Sequence, residues 1–326
     1  MTSDKKTEII NDIAAYFSKS LSDILINLPK RVKQGISEIR LRSGRPLSLT
    51  VDGQNVFISN VGNVCHLLQH GLYIVSEKEI SDVFKSMCDY SAYAYSEQIR
   101  QGFITLKNGC RAGLAASAIY DDGKITGLVQ ISSINIRIAA EYIGCATPII
   151  GSLSKGMLIA GPPSSGKTTV LRDAIRLVSH GIGTKRRRIA VVDTRGEIAS
   201  VKNSVPQNDV GPLTDVLTGC AKQEGIEMAI RTLNPEVIAF DEIGSLSEAN
   251  IVIKSFHSGA DTICTVHSGT VDELLKNPVA RCILNSGAID RVVFLHSVGD
   301  KPDVYCVGLS DGRIELEPVE RSVTNA

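Results

Sequence analysis

A glycine-rich stretch near the middle of the chain has the residue types and spacing of a phosphate-binding loop. It follows the pattern G-x-x-x-x-G-K-T and reads Gly161-Pro162-Pro163-Ser164-Ser165-Gly166-Lys167-Thr168, with Thr169 included in the binding set. The two glycines let the backbone bend so that successive N–H groups point at phosphate oxygens. Lys167 can reach the β- and γ-phosphates of a nucleotide, and the Thr168 hydroxyl suits Mg²⁺. The stretch therefore predicts nucleotide binding with Mg²⁺.

The neighbouring segments are the ones that such a loop needs. Residues 156–160 are apolar and suit a buried strand, and apolar residues then recur at helical spacing until His180-Gly181. A helix that begins at the loop directs the positive end of its dipole at the same anion. Strand, loop and helix together make a simple Gly/Pro/Ser-rich turn the weaker interpretation.

A second apolar strand ends in two acidic residues. Residues 237–240 are Val-Ile-Ala-Phe, and Asp241-Glu242 follow directly. In nucleotide hydrolases, a strand beside the phosphate loop ends in an aspartate that helps to hold Mg²⁺, and an adjacent glutamate can orient and deprotonate the attacking water. Binding alone does not require Glu242, whereas hydrolysis does. We therefore rank Glu242 first as the catalytic base.

Two more strands carry polar residues to the same predicted sheet edge. Asp193 ends the strand at residues 189–193, and a loop leads to Glu197. Ligands gather at the carboxyl edge of open α/β sheets. The strand at residues 261–266 is followed by His267, for which two roles remain open: a structural one, or sensing of the γ-phosphate.

The N-terminal half predicts a smaller α+β domain. Apolar residues recur every three or four positions from Thr7 to Leu28, as in an amphipathic helix that is continuous or broken near Ser18–Ser20. We expect this stripe to pack on its own domain, with docking to a partner or a membrane surface as the alternative. Period-two patterns, an Asn108-Gly109 turn and a capping box at Ser76 and Glu79 predict a small sheet with one helix.

The C-terminal half predicts an α/β nucleotide-binding domain, a mainly parallel sheet flanked by helices. Residues 213–232 are expected to form a helix interrupted near Gly225, and three strands after residue 291 an antiparallel end to the sheet. We divide the chain into an N-terminal amphipathic segment (1–30), the α+β domain (31–145) and the nucleotide-binding domain (146–326).

Composition limits the classes of function. Basic and acidic residues number 35 each, the apolar fraction is 43%, and no apolar run approaches the roughly 18 residues that span a bilayer. The eight cysteines form neither a C-x-x-C pair nor a Cys/His cluster. We therefore expect a cytoplasmic protein with reduced thiols and without a disulfide framework or a clustered metal site.

Longer motifs resemble known families. Residues 231–244, 258–260 and 264–270 resemble the secretion ATPases of type II and type IV systems, hexameric motors with an arginine-acid strand, a glycine-containing turn and a T-x-H histidine box in this order. Residues 37–47, 101–115 and 131–139 are similar to the stage III sporulation protein AA family, ATPases of endospore-forming bacteria. The similarity extends from about Ile36 to Gly308.

This resemblance implies a RecA-like core, a homo-oligomer that is a hexamer, and ATP hydrolysis coupled to a membrane-embedded channel complex between mother cell and forespore. It implies that the protein lies in the mother-cell cytoplasm and reaches the membrane through partner proteins. It assigns Lys167 and Thr168 to phosphate and Mg²⁺, Asp241-Glu242 to the acidic strand end, and His267 to the histidine box. Asp193 and Glu197 fall where the family has its acidic box.

The acidic box departs from the family pattern, because Thr194 stands where a second acid is expected beside Asp193. Which carboxylate activates water is therefore open, and Glu197 ranks second after Glu242.

Arg111, Arg137 and Arg231 are candidates to reach the nucleotide of a neighbouring subunit, where a permanently charged fork is useful. A solvated or salt-bridged surface arginine is the alternative at each position.

Three functions compete. The first is a motor ATPase that serves a sporulation channel, and the second is a nucleic-acid-dependent ATPase of the RecA or helicase type. The zero net charge, the 5% aromatic content and the absence of Trp argue against the second, so no direct nucleic-acid partner is expected. The third, a nucleotide-gated scaffold with little turnover, would leave Glu242 idle.

Overall fold

The chain passes between two units more than once in the computed structural model, which describes residues 3–139, 142–310 and 313–319. One unit contains Met1–Glu141 together with Val201–Gln207, and the other contains Tyr142–Ser200 and Asn208–Ala326. A short segment in the C-terminal half of the sequence thus belongs to the first unit. The division at residues 30 and 145 stays a proposal about how the chain is organised.

The first unit is built on an antiparallel sheet. Its helices are α1 (Ser3–Ala14), α2 (Lys19–Asn27), α3 (Lys30–Gly35), α4 (Glu77–Met87) and α5 (Ser96–Arg100), with 3-10 turns at Ala92–Tyr95 and Lys107–Gly109. Its strands in the N-terminal half are β1 (Ile36–Arg42), β2 (Arg45–Pro46), β3 (Ser48–Val51), β4 (Gln54–Ile58), β5 (Val64–Cys65), β6 (Ile74–Val75), β7 (Phe103–Thr105), β8 (Arg111–Asp121) and β9 (Lys124–Arg137). Among the described residues the larger sheet has seven strands in the order β5-β4-β3-β1-β9-β8-β7.

Local sequence signals account for much of this unit. The amphipathic stripe breaks after Ala14, and its residues Ile10, Ile13, Leu21 and Leu25 are fully buried in the core, so the stripe packs on its own unit. The capping box at the start of α4 is present as predicted. The chain turns between β7 and β8 at Asn108, whose φ of 57° lies in the left-handed region that asparagine tolerates.

The second unit is an α/β layer structure. Its helices are α6 (Thr147–Ile150), α7 (Lys167–His180), α8 (Lys222–Thr232), α9 (Leu246–His257), α10 (Val271–Lys276) and α11 (Pro278–Asn285). The remaining strands of the chain are β10 (Met157–Gly161), β11 (Ile189–Val192), β12 (Val201–Lys202), β13 (Val205–Pro206), β14 (Thr214–Leu217), β15 (Val237–Phe240), β16 (Asp261–His267), β17 (Arg291–Phe294), β18 (Asp303–Ser310) and β19 (Arg313–Pro318). Of these, β12 and β13 form the hairpin that belongs to the first unit.

Strand order decides which residues meet. In the described part of the chain the sheet of the second unit has the order β14-β11-β15-β16-β10-β17-β18-β19. The strands from β14 to β17 pair in parallel, and every residue of β10, β11 and β15 is buried. Strands covered on both faces read as continuous apolar runs, which is why the sequence revealed them. Strand β16 separates β10 from β15, so the two acids are one strand away from the phosphate loop.

Two sequence predictions in this unit are wrong. Residues 214–217 form β14, which pairs with β11, and the predicted helix begins only at Lys222. Gly225 lies inside this helix without interrupting it. A Cβ at Gly225 would lie 2.6 Å from Val192 Cγ1, so glycine lets α8 approach β11 closely. Strand β17 pairs in parallel with β10, and the antiparallel end begins at β18.

Candidate active site

The phosphate loop is the turn between β10 and α7. A Cβ at Gly161 would lie 2.6 Å from the carbonyl oxygen of Leu295, so only glycine fits there. Gly166 precedes the helix with a φ of 93°, which glycine adopts without strain. The first N–H groups of α7 have no partner within the helix and face the same space as the loop.

The loop has the features that an anion requires. Ser165 is buried, yet its hydroxyl Oγ has no hydrogen-bond partner. Buried polar groups are normally paired, so an unpaired hydroxyl inside a glycine-rich turn indicates a ligand that would complete it. Together with the helix N-terminus this fits a phosphate group.

Lys167 is held against its own loop. Its Nζ donates to the carbonyl oxygens of Gly161 at 2.8 Å and Pro162 at 2.7 Å and lies 3.0 Å from Nδ1 of His267. Burial lowers the pKa of Lys167, while the carboxylates of Asp241 and Glu242 oppose this shift. A bound phosphate would place a further negative charge beside this buried ammonium and so stabilise its charged form.

Thr168 and Asp241 form the candidate metal position. The Thr168 hydroxyl donates to Oδ2 of Asp241 at 2.7 Å, and the buried hydroxyl of Thr265 donates to Oδ1. A hydroxyl and a carboxylate are hard oxygen ligands of the kind that Mg²⁺ prefers, usually completed by substrate phosphates and waters. Among the described residues no group of three or more His, Cys, Asp or Glu side chains could hold a metal ion. The donor set therefore fits Mg²⁺ bound together with a nucleotide.

The carboxylate of Glu242 lies between the side chains of Arg195 and His267. Its Oε2 accepts from Nη1 of Arg195 at 2.8 Å, and its Oε1 lies 3.6 Å from Nε2 of His267. Because the ammonium of Lys167 only donates, Nδ1 of His267 is the acceptor in this contact. His267 thus links the phosphate-loop lysine to the candidate base.

These side chains line one cavity of about 840 Å³, within the usual range for ligand pockets. Its lining residues include 164–169, Glu197, Asp241, Glu242, Thr265 and His267, together with Tyr142, Cys145 and residues 297–302. Thr169, a predicted binding residue, and Glu197, the second-ranked candidate base, both line this cavity, and their roles stay predictions.

Asp193 does not line this cavity. Its buried carboxylate accepts from the backbone N–H groups of Glu197, Ile198 and Ala199 at 2.8 to 3.2 Å and so holds the loop that carries Glu197. A second cavity of about 20 Å³, room for about one water molecule, lies between Asp193, Glu197, Asp241 and Glu242. Asp193 therefore acts on the shape of the site rather than on the nucleotide space.

The three candidate arginines lie outside the cavity. The guanidinium of Arg111 stacks 3.4 Å above the ring of Phe103, and Arg137 is exposed on β9 of the same unit. Arg231 is exposed on α8, where its Nε donates to the carbonyl of Glu227. Contact with a neighbouring subunit's nucleotide stays a prediction for all three.

Three contributors were missed by sequence reasoning. Thr265, Arg195 and Lys222 contact Asp241 or Glu242. Thr265 lies within the T-x-H motif, two residues before His267, so its position was a signal. Arg195 lies in the loop after Asp193 and Lys222 begins α8, and neither carries a recognisable motif.

Comparisons with known proteins show relatives along most of the chain. A family model described as sporulation stage III, protein AA matches residues 3–314. Stage III sporulation protein AA of Bacillus subtilis (strain 168) is 33% identical over 315 residues, which cover 94% of this chain and 97% of that protein.

Solved structures share the fold. The pilus retraction motor PilT, with bound ADP, has a TM-score of 0.56 at 16% identity and covers 90% of this chain and 82% of its own. The ATPase DotB of Legionella pneumophila has a TM-score of 0.50 at 13% identity, and the match covers 98% of this chain and 80% of the DotB chain. These likenesses confirm the predicted fold class, a RecA-like α/β domain preceded by a smaller α+β domain. The chain belongs to the sporulation stage III, protein AA family.

Proposed function

We propose that this protein is a Mg²⁺-dependent ATPase whose hydrolysis energises a membrane-embedded secretion or feeding channel between mother cell and forespore during endospore formation. The observation that carries the ATPase proposal is the convergence of Lys167, Thr168, Asp241, Glu242 and His267 on one cavity. The cellular role is supported by membership of a sporulation family and by the secretion-ATPase fold.

In the binding step the loop N–H groups and the Ser165 hydroxyl donate to phosphate oxygens. Lys167 leaves the carbonyls of Gly161 and Pro162 and donates to the β- and γ-phosphates. Thr168 and Asp241 would hold Mg²⁺, which supplies charge neutralisation of the phosphates. His267 loses its lysine partner in this step and becomes available to the γ-phosphate.

In the hydrolytic step Glu242 accepts the proton of the attacking water. Arg195 and His267, on the two oxygens of Glu242, orient the carboxylate. Glu197 lines both cavities and is the alternative base.

The test is Glu242→Gln. Removing the base while keeping the size of the side chain should leave ATP binding intact and lower kcat by about 10²- to 10⁴-fold. Phosphate release by the purified protein measures kcat, and equilibrium binding of a fluorescent ATP analogue measures affinity. EDTA should abolish the wild-type rate.

The matched comparison is Glu197→Gln. Near-normal turnover in Glu242→Gln together with loss in Glu197→Gln would transfer the role of base to Glu197. A wild-type protein that binds ATP without turnover would favour the nucleotide-gated scaffold.

The assembly is a further part of the proposal. We infer a homo-oligomer, a hexamer, that lies in the cytoplasm and contacts membrane proteins of the channel complex. In this proposal partner proteins make the contact with the membrane. Among the described residues no helix is long and apolar enough to cross a bilayer. Light scattering with and without ATP tests the oligomer, and affinity capture from sporulating cells tests the partners. Strong stimulation of turnover by single-stranded DNA, rather than by membrane partners, would favour the nucleic-acid-dependent ATPase.

A further inference from the structure

The backbone at the candidate base is held in an uncommon conformation. Glu242 has a φ of 50°, in the left-handed region that side chains other than Gly, Asn and Asp seldom adopt. Such a conformation persists only where surrounding contacts determine it, and it is frequent at active sites. Since this turn directly follows β15, it sets the direction in which the Glu242 carboxylate leaves the sheet.

Contacts on both sides of the peptide fix this turn. The N–H of Glu242 donates to Oγ1 of Thr265 at 2.7 Å, and the N–H of Ile243 donates to the Thr265 carbonyl at 2.8 Å. The carbonyl of Glu242 accepts a hydrogen bond from the ammonium of Lys222. The turn is therefore held from β16 on one side and from the start of α8 on the other.

Glu248 holds Lys222 in this position. One carboxylate oxygen lies 3.0 Å from Lys222 Nζ and the other accepts from the N–H of Gly244 at 2.8 Å. The side chains of Lys222 and Glu248 are 13% and 22% exposed, so the pair is largely removed from water. Burial raises the pKa of Glu248, but the hydrogen bonds from Gly244 and Lys222 outweigh it and lower the pKa overall.

We propose that Lys222, held by Glu248, is a positioning residue for the catalytic base: it fixes the left-handed turn at Glu242 and thereby the carboxylate that activates water. Among the described residues, Lys222 lines the small cavity beside Asp241 and Glu242 but not the nucleotide cavity, so its assigned role is through Glu242 and not on the nucleotide. This proposal rests on the proposed ATPase function and on Glu242 as base.

The first test is Lys222→Met, which keeps most of the aliphatic stem and removes the ammonium. Because a misplacement of about 1 Å costs about 10²-fold in rate, we expect kcat to fall by that order. Affinity for the ATP analogue and KM should stay within about twofold, since no nucleotide contact is lost. Lys222→Arg retains a hydrogen-bond donor, so its kcat should be about tenfold higher than that of Lys222→Met.

The chain offers a matched control in the first unit. Lys202 is 5% exposed, lies 3.1 Å from Oδ2 of Asp89, donates to the carbonyl of Met87 and lies 5.0 Å from the ring centroid of Tyr95. Lys222 has a similar set of partners, a carboxylate, a backbone carbonyl and the ring of Phe240 at 5.8 Å. Lys202 differs in that it also donates to the hydroxyl of Tyr95 at 2.9 Å. Lys202→Met therefore removes a comparable buried ammonium from a residue that lines neither described cavity and should leave kcat within about twofold.

The outcomes separate this proposal from the proposed function. Absence of turnover in the wild type contradicts the proposed ATPase function, and near-normal turnover in Glu242→Gln contradicts Glu242 as the base. Suppose that the wild type hydrolyses ATP and that Glu242→Gln does not. If Lys222→Met then retains wild-type kcat, or if Lys202→Met lowers kcat as much as Lys222→Met does, only the positioning role of Lys222 is wrong. Should Lys222→Met not fold, Glu248→Gln decides: a fall in kcat at unchanged affinity supports the role, and an unchanged kcat refutes it.

Discussion

Replacing Thr265 by valine probes the contact on which both acids of the site depend. The Thr265 hydroxyl is completely buried, donates to Asp241 and accepts from the N–H of Glu242. Valine has nearly the same shape but cannot make either bond. The substitution therefore removes the polar contacts without opening a large cavity.

The expected loss of stability follows from those two bonds. A hydrogen bond to a charged group contributes about 1.5–3 kcal/mol, and a buried N–H left unpaired costs about 1–3 kcal/mol. We therefore expect Thr265→Val to lower the free energy of unfolding by about 2.5–6 kcal/mol. Thr265→Ser keeps the hydroxyl and loses one methyl group, which should cost about 1 kcal/mol.

Urea unfolding followed by circular dichroism measures both variants, because the chain has no Trp for fluorescence. In the hydrolysis assay Thr265→Val should lower kcat by about 10²-fold, since both carboxylates lose their orientation, while Thr265→Ser should stay within about threefold of the wild type. Equal stabilities and equal rates for valine and serine would show that the hydroxyl positions neither acid, and the reasoning would fail.

Two predictions concern other parts of the chain. In Gly225→Ala the new Cβ lies 2.6 Å from Val192 Cγ1, and overpacking of about 1–3 kcal/mol should exceed the gain of about 1 kcal/mol in helix propensity, so that urea unfolding shows a net loss. In the first unit, burial raises the pKa of Asp89, but hydrogen bonds from Tyr95, Lys202 and Asn203 lower it overall. Its stabilisation is complete above its ordinary pKa of 3.8 and is lost as the pH falls through the lowered value. Asp89→Asn should therefore be less stable than the wild type at neutral pH, with a difference that shrinks in thermal unfolding at lower pH; a constant difference would contradict the assignment.

Short-range patterns in the sequence were sufficient where a few neighbouring residues decide the structure. The phosphate loop, the capping box at Ser76 and Glu79 and the turn at Asn108 each depend on contacts within one turn of chain. Buried strands such as β10 and β15 were recognisable because both of their faces are covered.

Local patterns failed where distant contacts decide. Residues 214–217 have no strong preference, and pairing with β11 makes them a strand. On propensity alone Gly225 predicts a break in the helix. The helix is continuous, and the glycine is explained by the close packing of α8 on Val192. The pairing of β17 with β10, parallel rather than antiparallel, depends on where the helix before it returns the chain.

For the site, the chemical groups could be read from the residues alone: a phosphate loop with Lys167 and Thr168, two acids after an apolar strand, and a histidine after another. How these groups contact one another depends on the three-dimensional fold. Strand β16 enters between β10 and β15, which brings His267 within reach of both Lys167 and Glu242. The carboxylate of Asp193 is occupied by backbone N–H groups, and Lys222 with Glu248 holds the turn at Glu242. These roles depend on strand order and on contacts between residues far apart in sequence, which no local pattern encodes.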